Sequence, residues 1–207
     1  MEIRPACQED CDSVAELMLS SGVELYAFIY GMPSSKALHY IRYEFLSGRG
    51  FGGYQNATVV VMDNKAIGVG CFYDGKQYMR LFLGSIVNML LFYGLLRVWK
   101  VFIRSDYVVR HIIQKPQSSE LYLTNFAVHP DWQGKGIGSA LLAAKIREAR
   151  TMGYAKFSLD VAANNPRAEA LYAKHGLGCI AIKPFNRKTT GLSVPANKKM
   201  ELKLSDD

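Results

Sequence analysis

The chain is poor in cysteine, with four thiols (Cys7, Cys11, Cys71 and Cys179) in 207 residues. Cys7 and Cys11 stand four apart, but no second pair of Cys or His ligands lies near them, so the spacing offers no metal site. So few thiols also cannot staple a secreted scaffold, and the expectation is free cysteines in a reducing compartment, the cytoplasm. The opening Met1-Glu2-Ile3-Arg4-Pro5 lacks the basic-then-apolar order of a secretion signal. Internal repeats are absent, and no uncharged apolar run reaches the roughly 18 to 20 residues that a membrane-spanning helix needs. With 49% hydrophobic and 21% charged residues the chain is no disordered polymer, and at this length one domain over residues 1–207 is expected. The excess of 25 Lys and Arg over 18 Asp and Glu gives a net charge of +7, which suits an anionic partner. Because the cations are spread along the chain, nucleic acid is not that partner.

What is present is concentrated in one stretch, His129-Pro130-Asp131-Trp132-Gln133-Gly134-Lys135-Gly136-Ile137-Gly138-Ser139. An apolar, β-prone segment (Leu121 to Val128) precedes it and a run of strong helix formers (Ala140 to Arg150) follows. A strand therefore turns through three glycines into a helix, leaving backbone N–H groups uncovered where the helix dipole is positive. That is an anion cradle, and two phosphate loops fail to own it. A Walker A loop needs Ser or Thr after Gly-Lys and a glycine where His129 stands, and a dinucleotide fingerprint needs glycine where Ser139 or Leu141 stands.

Gln133, Gly136 and Gly138 instead fit Gln/Arg-x-x-Gly-x-Gly/Ala, and the stretch resembles the pyrophosphate-binding turn of the GCN5-related N-acetyltransferases (GNAT family). A second landmark follows one strand later. Asn165-Pro166-Arg167-Ala168-Glu169-Ala170-Leu171-Tyr172 and then Gly176 are similar to that family's Asn-x-x-Ala-x-x-x-Tyr helix, with Leu177 in place of the usual aromatic. The resemblance implies an α/β fold: a mixed, mostly antiparallel central sheet of about six to seven strands flanked by helices.

In chain order, Glu2 to Pro5 is a strand, and Asp10 or Asp12 caps a helix carrying Val14, Leu17 and Met18. A helix from Ser34 or Ser35 to about Leu46 follows Pro33. Its neighbourhood is rich in aromatics (Tyr26, Phe28, Tyr30, Tyr40, Tyr43, Phe45), which serve as core or as the wall of a pocket for a bulky acceptor. Thr58–Met62 and Ala66–Phe72 flank Asp63-Asn64-Lys65 as a hairpin. Glu120–Val128, Lys156–Val161, Cys179–Ile182 and Lys199–Leu204 complete the strands, with a helix stopped by Gly153 as its C′ residue and another capped by Asn165, begun at Pro166 and stopped by Gly176 beyond its end. The loop from Lys183 to Lys198 holds Arg187, Lys188 and Lys198, which are either solvated or face the cofactor's 3′-phosphate or an acidic acceptor.

Residues 74–119 depart from the family pattern. Leu81 to Leu96 carry no charge and are bracketed by Arg80, Arg97, Lys100 and Arg104. A helical insertion folded over the domain, or buried in a homodimer, is favoured over membrane contact.

The resemblance further implies acetyl-coenzyme A as co-substrate, with no metal. It assigns cofactor binding to Phe126, Ala127 and Val128, to Gln133, Gly134, Lys135, Gly136, Ile137, Gly138 and Ser139, and to Asn165. Tyr172 is the expected general acid, since a phenol stays protonated at neutral pH and a departing thiolate can take its proton. The base is an ordered water or one of two carboxylates, Glu44 and Glu120, and the sequence does not choose among them. The expected activity is acetyl transfer to a primary amine of a small molecule or a protein in a ternary complex. The alternative is a cofactor-binding module with little turnover that attaches to a partner or a membrane surface through its apolar insertion.

Overall fold

The structure, a computed structural model, describes residues 1–31, 33–111, 115–185 and 194–204; Arg187 and Lys188 lie outside the described residues. The strands are β1 (Glu2–Pro5), β2 (Ala57–Met62), β3 (Lys65–Asp74), β4 (Glu120–Val128), β5 (Lys156–Ala162), β6 (Gly178–Lys183) and β7 (Asn197–Lys203). They form one sheet in the order β1-β2-β3-β4-β5-β7-β6, with β4 and β5 parallel and every other neighbouring pair antiparallel. The expected mixed, mostly antiparallel sheet is therefore present with seven strands. Its final strand β7 inserts between β5 and β6, an order that strand patterns alone do not specify.

Side-chain alternation assigns the two faces. Val59 and Val61 of β2 join Val69 and Cys71 of β3 beneath helices α1 (Cys11–Ser20) and α3 (Ser34–Ser47). Val60 and Ile67 face the other way, onto Ile137 and Leu141 of α6 (Ile137–Thr151). Farther along that face, α6 and α7 (Pro166–Lys174) close a core around Phe72, Leu123, Phe157 and Leu159. Leu177, the departure from an aromatic, is 2% exposed in this same core. The β2–β3 turn places Asp63 (φ 50) and Asn64 (φ 59) in the left-handed region, where short polar side chains are tolerated best.

Local chemistry explains three features that the sequence did not disclose. Asp10 does not cap α1 with its side chain; it accepts from the Cys7 amide at 2.9 Å and pairs with Arg4 at 2.8 Å, closing the preceding turn. An additional helix α2 (Val23–Tyr30) escapes periodicity because it is apolar nearly all round, held between α3 and the insertion through Phe28 and Ile29. The uncharged run is two helices rather than one. Helix α4 (Gly75–Tyr93) starts from a capping box in which Asp74 accepts from the Gln77 amide at 2.8 Å. It stops at Gly94 (φ 69), and α5 (Leu95–His111) then returns. Tyr78, Leu81, Ser85, Asn88 and Met89 turn inward from α4, while Val101 and Val108 of α5 pack against Phe28 and Tyr40. The insertion thus joins the helical layer of α1 and α3.

Candidate active site

Strands β4 and β5 pair only from Glu120↔Lys156 to Leu123↔Leu159. Beyond that point β5 continues its pairing with β7 while β4 stays with β3, and the two strands part. The edge of β4 that faced β5 is thereby open along Asn125, Phe126, Ala127 and Val128. Asn125 adopts φ 52 next to an irregularity in the β3–β4 ladder, and its Oδ1 accepts from the Tyr26 hydroxyl at 2.7 Å.

Helix α6 begins at the mouth of this opening. Gly134 (φ 80) and Gly136 (φ 83) both need the left-handed region, and Gly136 is an N-cap with no side-chain hydrogen bond. Its backbone therefore leaves the first-turn N–H groups of α6 without a cap, at the positive end of the dipole. A Cβ at Gly136 would meet nothing within 4 Å, so the space above the turn is open. Gln133 braces the turn: its Nε2 donates to the Val128 carbonyl at 3.0 Å, and its Oε1 accepts from Arg167 at 2.9 Å. The Lys135 ammonium lies over the Trp132 ring, 4.7 Å from its centroid, and Lys135 does not line the cavity. Ser139 Oγ and His175 Nε2 lie 2.7 Å apart, linking α6 to the end of α7. Burial lowers the His175 pKa, which keeps that ring neutral at pH 7.

A cavity of about 880 Å³ runs from this turn along β4 into the N-terminal helical layer. It brings together Phe126 to Val128, Gln133, Gly134, Gly136 to Ser139, Asn165 and Tyr172. Asn165 caps α7 by accepting from the Ala168 amide at 3.1 Å, so its carboxamide oxygen is engaged and its amide nitrogen remains to donate. Tyr172 is 5% exposed, its ring 6.0 Å from that of Phe126, and burial pushes its phenol well above the ordinary value. It is protonated at neutral pH.

The opposite wall holds the group that the sequence left unassigned. Glu44, on α3, is buried and reaches the cavity. Its carboxylate accepts from Ser85 Oγ at 2.7 Å, and nearby Gly52 and Asn88 also favour its charged form, while Asn88 Nδ2 donates to the Arg49 carbonyl at 3.0 Å. A Cβ at Gly50 (φ 80) would overlap Glu44 Oε1, so the glycine-rich break after α3 is the backbone cradle of this carboxylate. Ser85 and Asn88, the polar residues inside the uncharged run, face inward for the same reason. Desolvation outweighs these hydrogen bonds and pushes the Glu44 pKa from 4.5 to about 7.

Glu120 is placed differently. It is 2% exposed at the start of β4, accepts from Ser158 and the Gln117 amide, and pairs with Lys199 at 3.1 Å. These partners hold its pKa below the usual carboxylate range against the opposing pull of burial, and it does not line the cavity. Of the two carboxylates, Glu44 is the one at the site. Lys198 is not a free loop cation either, since it lies on β7 and pairs with Glu169 at 2.8 Å.

Sequence reasoning also missed Arg167, which follows Pro166 in the second landmark and leans over the glycine turn, its Nη2 3.6 Å from where a Gly134 Cβ would stand. The inner face of the insertion was missed too: Tyr78, Phe82, Ile86, Met89 and Phe102 line the end of the cavity away from the glycine turn, beside Tyr26 and Tyr30. A cation within one turn of the helix cap was the available signal for the first; nothing in the sequence showed the second.

The profile of the Acetyltransferase (GNAT) family matches residues 23–177. A ribosomal protein bS18-alanine N-acetyltransferase of Escherichia coli is 42% identical over 71 residues, 34% of this chain and 48% of that protein. The chain thus spans about half the length of the curated relatives it matches. An N-acetyltransferase structure from Staphylococcus aureus Mu50 superposes over 98% of this chain and 100% of its own, with a TM-score of 0.68 at 20% identity. A Salmonella typhimurium structure solved with its cofactor acetyl-CoA superposes over 100% and 95%, with a TM-score of 0.57 at 20% identity.

Proposed function

Since the chain belongs to the GNAT family of acetyltransferases, we propose that residues 1–207 act as one catalytic domain moving an acetyl group from acetyl-coenzyme A to a primary amine. The observation that carries this reading is the single cavity joining the uncapped start of α6, the open edge of β4 and the buried Glu44. The residues present fit the co-substrate: a glycine turn with open space above it suits a pyrophosphate, and an unpaired strand edge suits amide groups. Acetyl-coenzyme A supplies the thioester-activated acetyl group.

Binding falls to the backbone from Gln133 to Ser139, with Arg167 adding positive charge at the turn. Phe126, Ala127 and Val128 hold an extended arm by strand-like pairing, and the Asn165 amide nitrogen donates to the same arm. A backbone N–H near Phe126 polarises the acetyl carbonyl. An acceptor amine, with an ordinary pKa near 10, arrives charged, and Glu44 removes its proton. A carboxyl tuned to about 7 is a far better base than one at 4.5, yet it is still ionised in half the molecules at neutral pH. The neutral nitrogen attacks the acetyl carbon, the carbon–sulfur bond breaks as Tyr172 gives its proton to the departing sulfur, and the second proton shed by the nitrogen restores the phenol. Burial raises the phenol pKa and raises the basicity of a thiolate in the same desolvated place, so the two remain matched.

The acceptor end is walled by aromatic and aliphatic side chains with a carboxylate among them, which suits a primary amine on an apolar body. Such an amine belongs to a small molecule or to an unstructured protein terminus, and the E. coli relative acts on a ribosomal-protein alanine by its name. The test is release of coenzyme A thiol from acetyl-coenzyme A with a panel of primary amines and peptide N-termini. Stimulation by apolar amines is expected. Tight cofactor binding with no stimulated release would favour a binding module instead.

A further inference from the structure

The outer face of the insertion is unlike the rest of the molecular surface. Helix α4 exposes Leu83 and Leu91, two turns apart, and α5 exposes Trp99 and Ile103, one turn apart. Between them the turn around Gly94 carries Leu95 and Leu96, 83% and 90% exposed, the most solvent-accessible large apolar side chains of the described residues. Contiguous exposed apolar surface of this kind marks an interaction site rather than ordinary surface scatter.

The charges beside it are mostly positive. From Gly75 to His111 the chain contains Lys76, Arg80, Arg97, Lys100, Arg104 and Arg110 against one acidic residue, Asp106, which lies ten or more positions beyond Leu95 and Leu96. Arg97, Lys100 and Arg104 follow helical spacing and form a cationic stripe next to the apolar one, with the Lys100 ammonium 5.7 Å from the Trp99 ring centroid. A leucine-tipped turn, an interfacial tryptophan and flanking cations match an anionic bilayer surface: the apolar tip enters the acyl boundary while the cations stay among the headgroups. A second copy of the chain packed tip to tip would bring the Arg97 and Lys100 of both copies close together, which disfavours it. Among the described residues no helix is long and apolar enough to cross a membrane, so the contact is with the surface.

We propose that the α4–α5 hairpin docks this protein on anionic phospholipid membranes through Leu95, Leu96 and Trp99, with Arg97 and Lys100 engaging lipid phosphates. The inner face of the same hairpin builds the acceptor end of the cavity, so docking leaves the site's lining in place.

Flotation of the full chain with vesicles of phosphatidylcholine, with and without phosphatidylglycerol, tests this independently of any enzymatic activity. Binding to the anionic vesicles, weakened by salt, is expected. Replacing Leu95 and Leu96 together by aspartate removes the tip and should weaken it by roughly tenfold or more. Arg97→Glu with Lys100→Glu should weaken it by at least about fivefold per charge lost. All four side chains are exposed, so unchanged circular dichroism and thermal melting are expected to accompany the loss. The proposal is overturned if anionic vesicles do not bind, if the tip variant binds as well as the native chain, or if those leucines instead drive concentration-dependent dimerisation without vesicle binding.

Discussion

Replacing Glu44 by glutamine should make this protein more stable and less active at once. A carboxyl whose pKa climbs from 4.5 in the unfolded chain to about 7 in the folded one costs the charged folded state about 3 kcal/mol. Below pH 4.5 the group is protonated in both states and makes no difference. Between 4.5 and 7 the unfolded chain ionises while the folded one stays protonated, so stability falls as pH rises; above 7 the full penalty is present. Glutamine cannot ionise and keeps an oxygen to accept from Ser85, though its NH2 meets the Gly52 amide donor less well, which offsets part of the gain. Urea unfolding at pH 5 and pH 8 should show the native chain losing about 2 to 3 kcal/mol relative to Glu44→Gln across that interval. Over the same interval the native kcat/KM should rise with an inflection near pH 7, and the variant should be slower by about 10² to 10⁴-fold and lack that inflection. Equal pH slopes of stability in the two proteins would refute the desolvated carboxylate. A stabilised variant with undiminished turnover would refute its role as base while leaving its burial intact.

Three other outcomes are expected. Gly136→Asp forces a side chain into a backbone with φ 83 and sets a negative charge at the cradle, so calorimetric affinity for acetyl-coenzyme A should fall by roughly 100-fold or more; Gly136→Ala, which adds no charge, should fall less. Tyr172→Phe keeps the ring that packs on Phe126 and removes only the hydroxyl. Its kcat should drop by about 10² to 10⁴-fold with cofactor affinity and melting temperature nearly unchanged. Lys199→Met strands Glu120 in a buried site and should cost about 3 to 5 kcal/mol at pH 7 by urea unfolding. That deficit should shrink as pH falls, because the stranded carboxyl escapes by taking a proton.

The sequence by itself determined the elements whose signals are local. Glu120–Val128 reads as a strand from its own composition, the α6 turn from glycines that only a left-handed backbone demands, and α7 from Asn165, Pro166 and Gly176 at its ends. Two spaced landmarks then pointed to the glycine-turn half of the cavity, since a backbone cradle leaves its requirement written in glycines. Only the tertiary structure decided the opposite wall. Glu44 and Glu120 are equally acidic in the sequence, and what separates them is surroundings: Lys199, Ser158 and the Gln117 amide hold one ionised, whereas desolvation above Gly50 and Gly52 lifts the other to about 7. The Ser85 that touches Glu44 lies forty-one positions away. The insertion is the clearest instance. Its uncharged run ends α4 and crosses the bend at Gly94, with Leu81, Ser85, Asn88 and Met89 turned inward and Leu83, Leu91, Leu95 and Leu96 left on solvent. A pKa and a pocket wall are properties of neighbours brought together by folding, and no spacing along the chain records them.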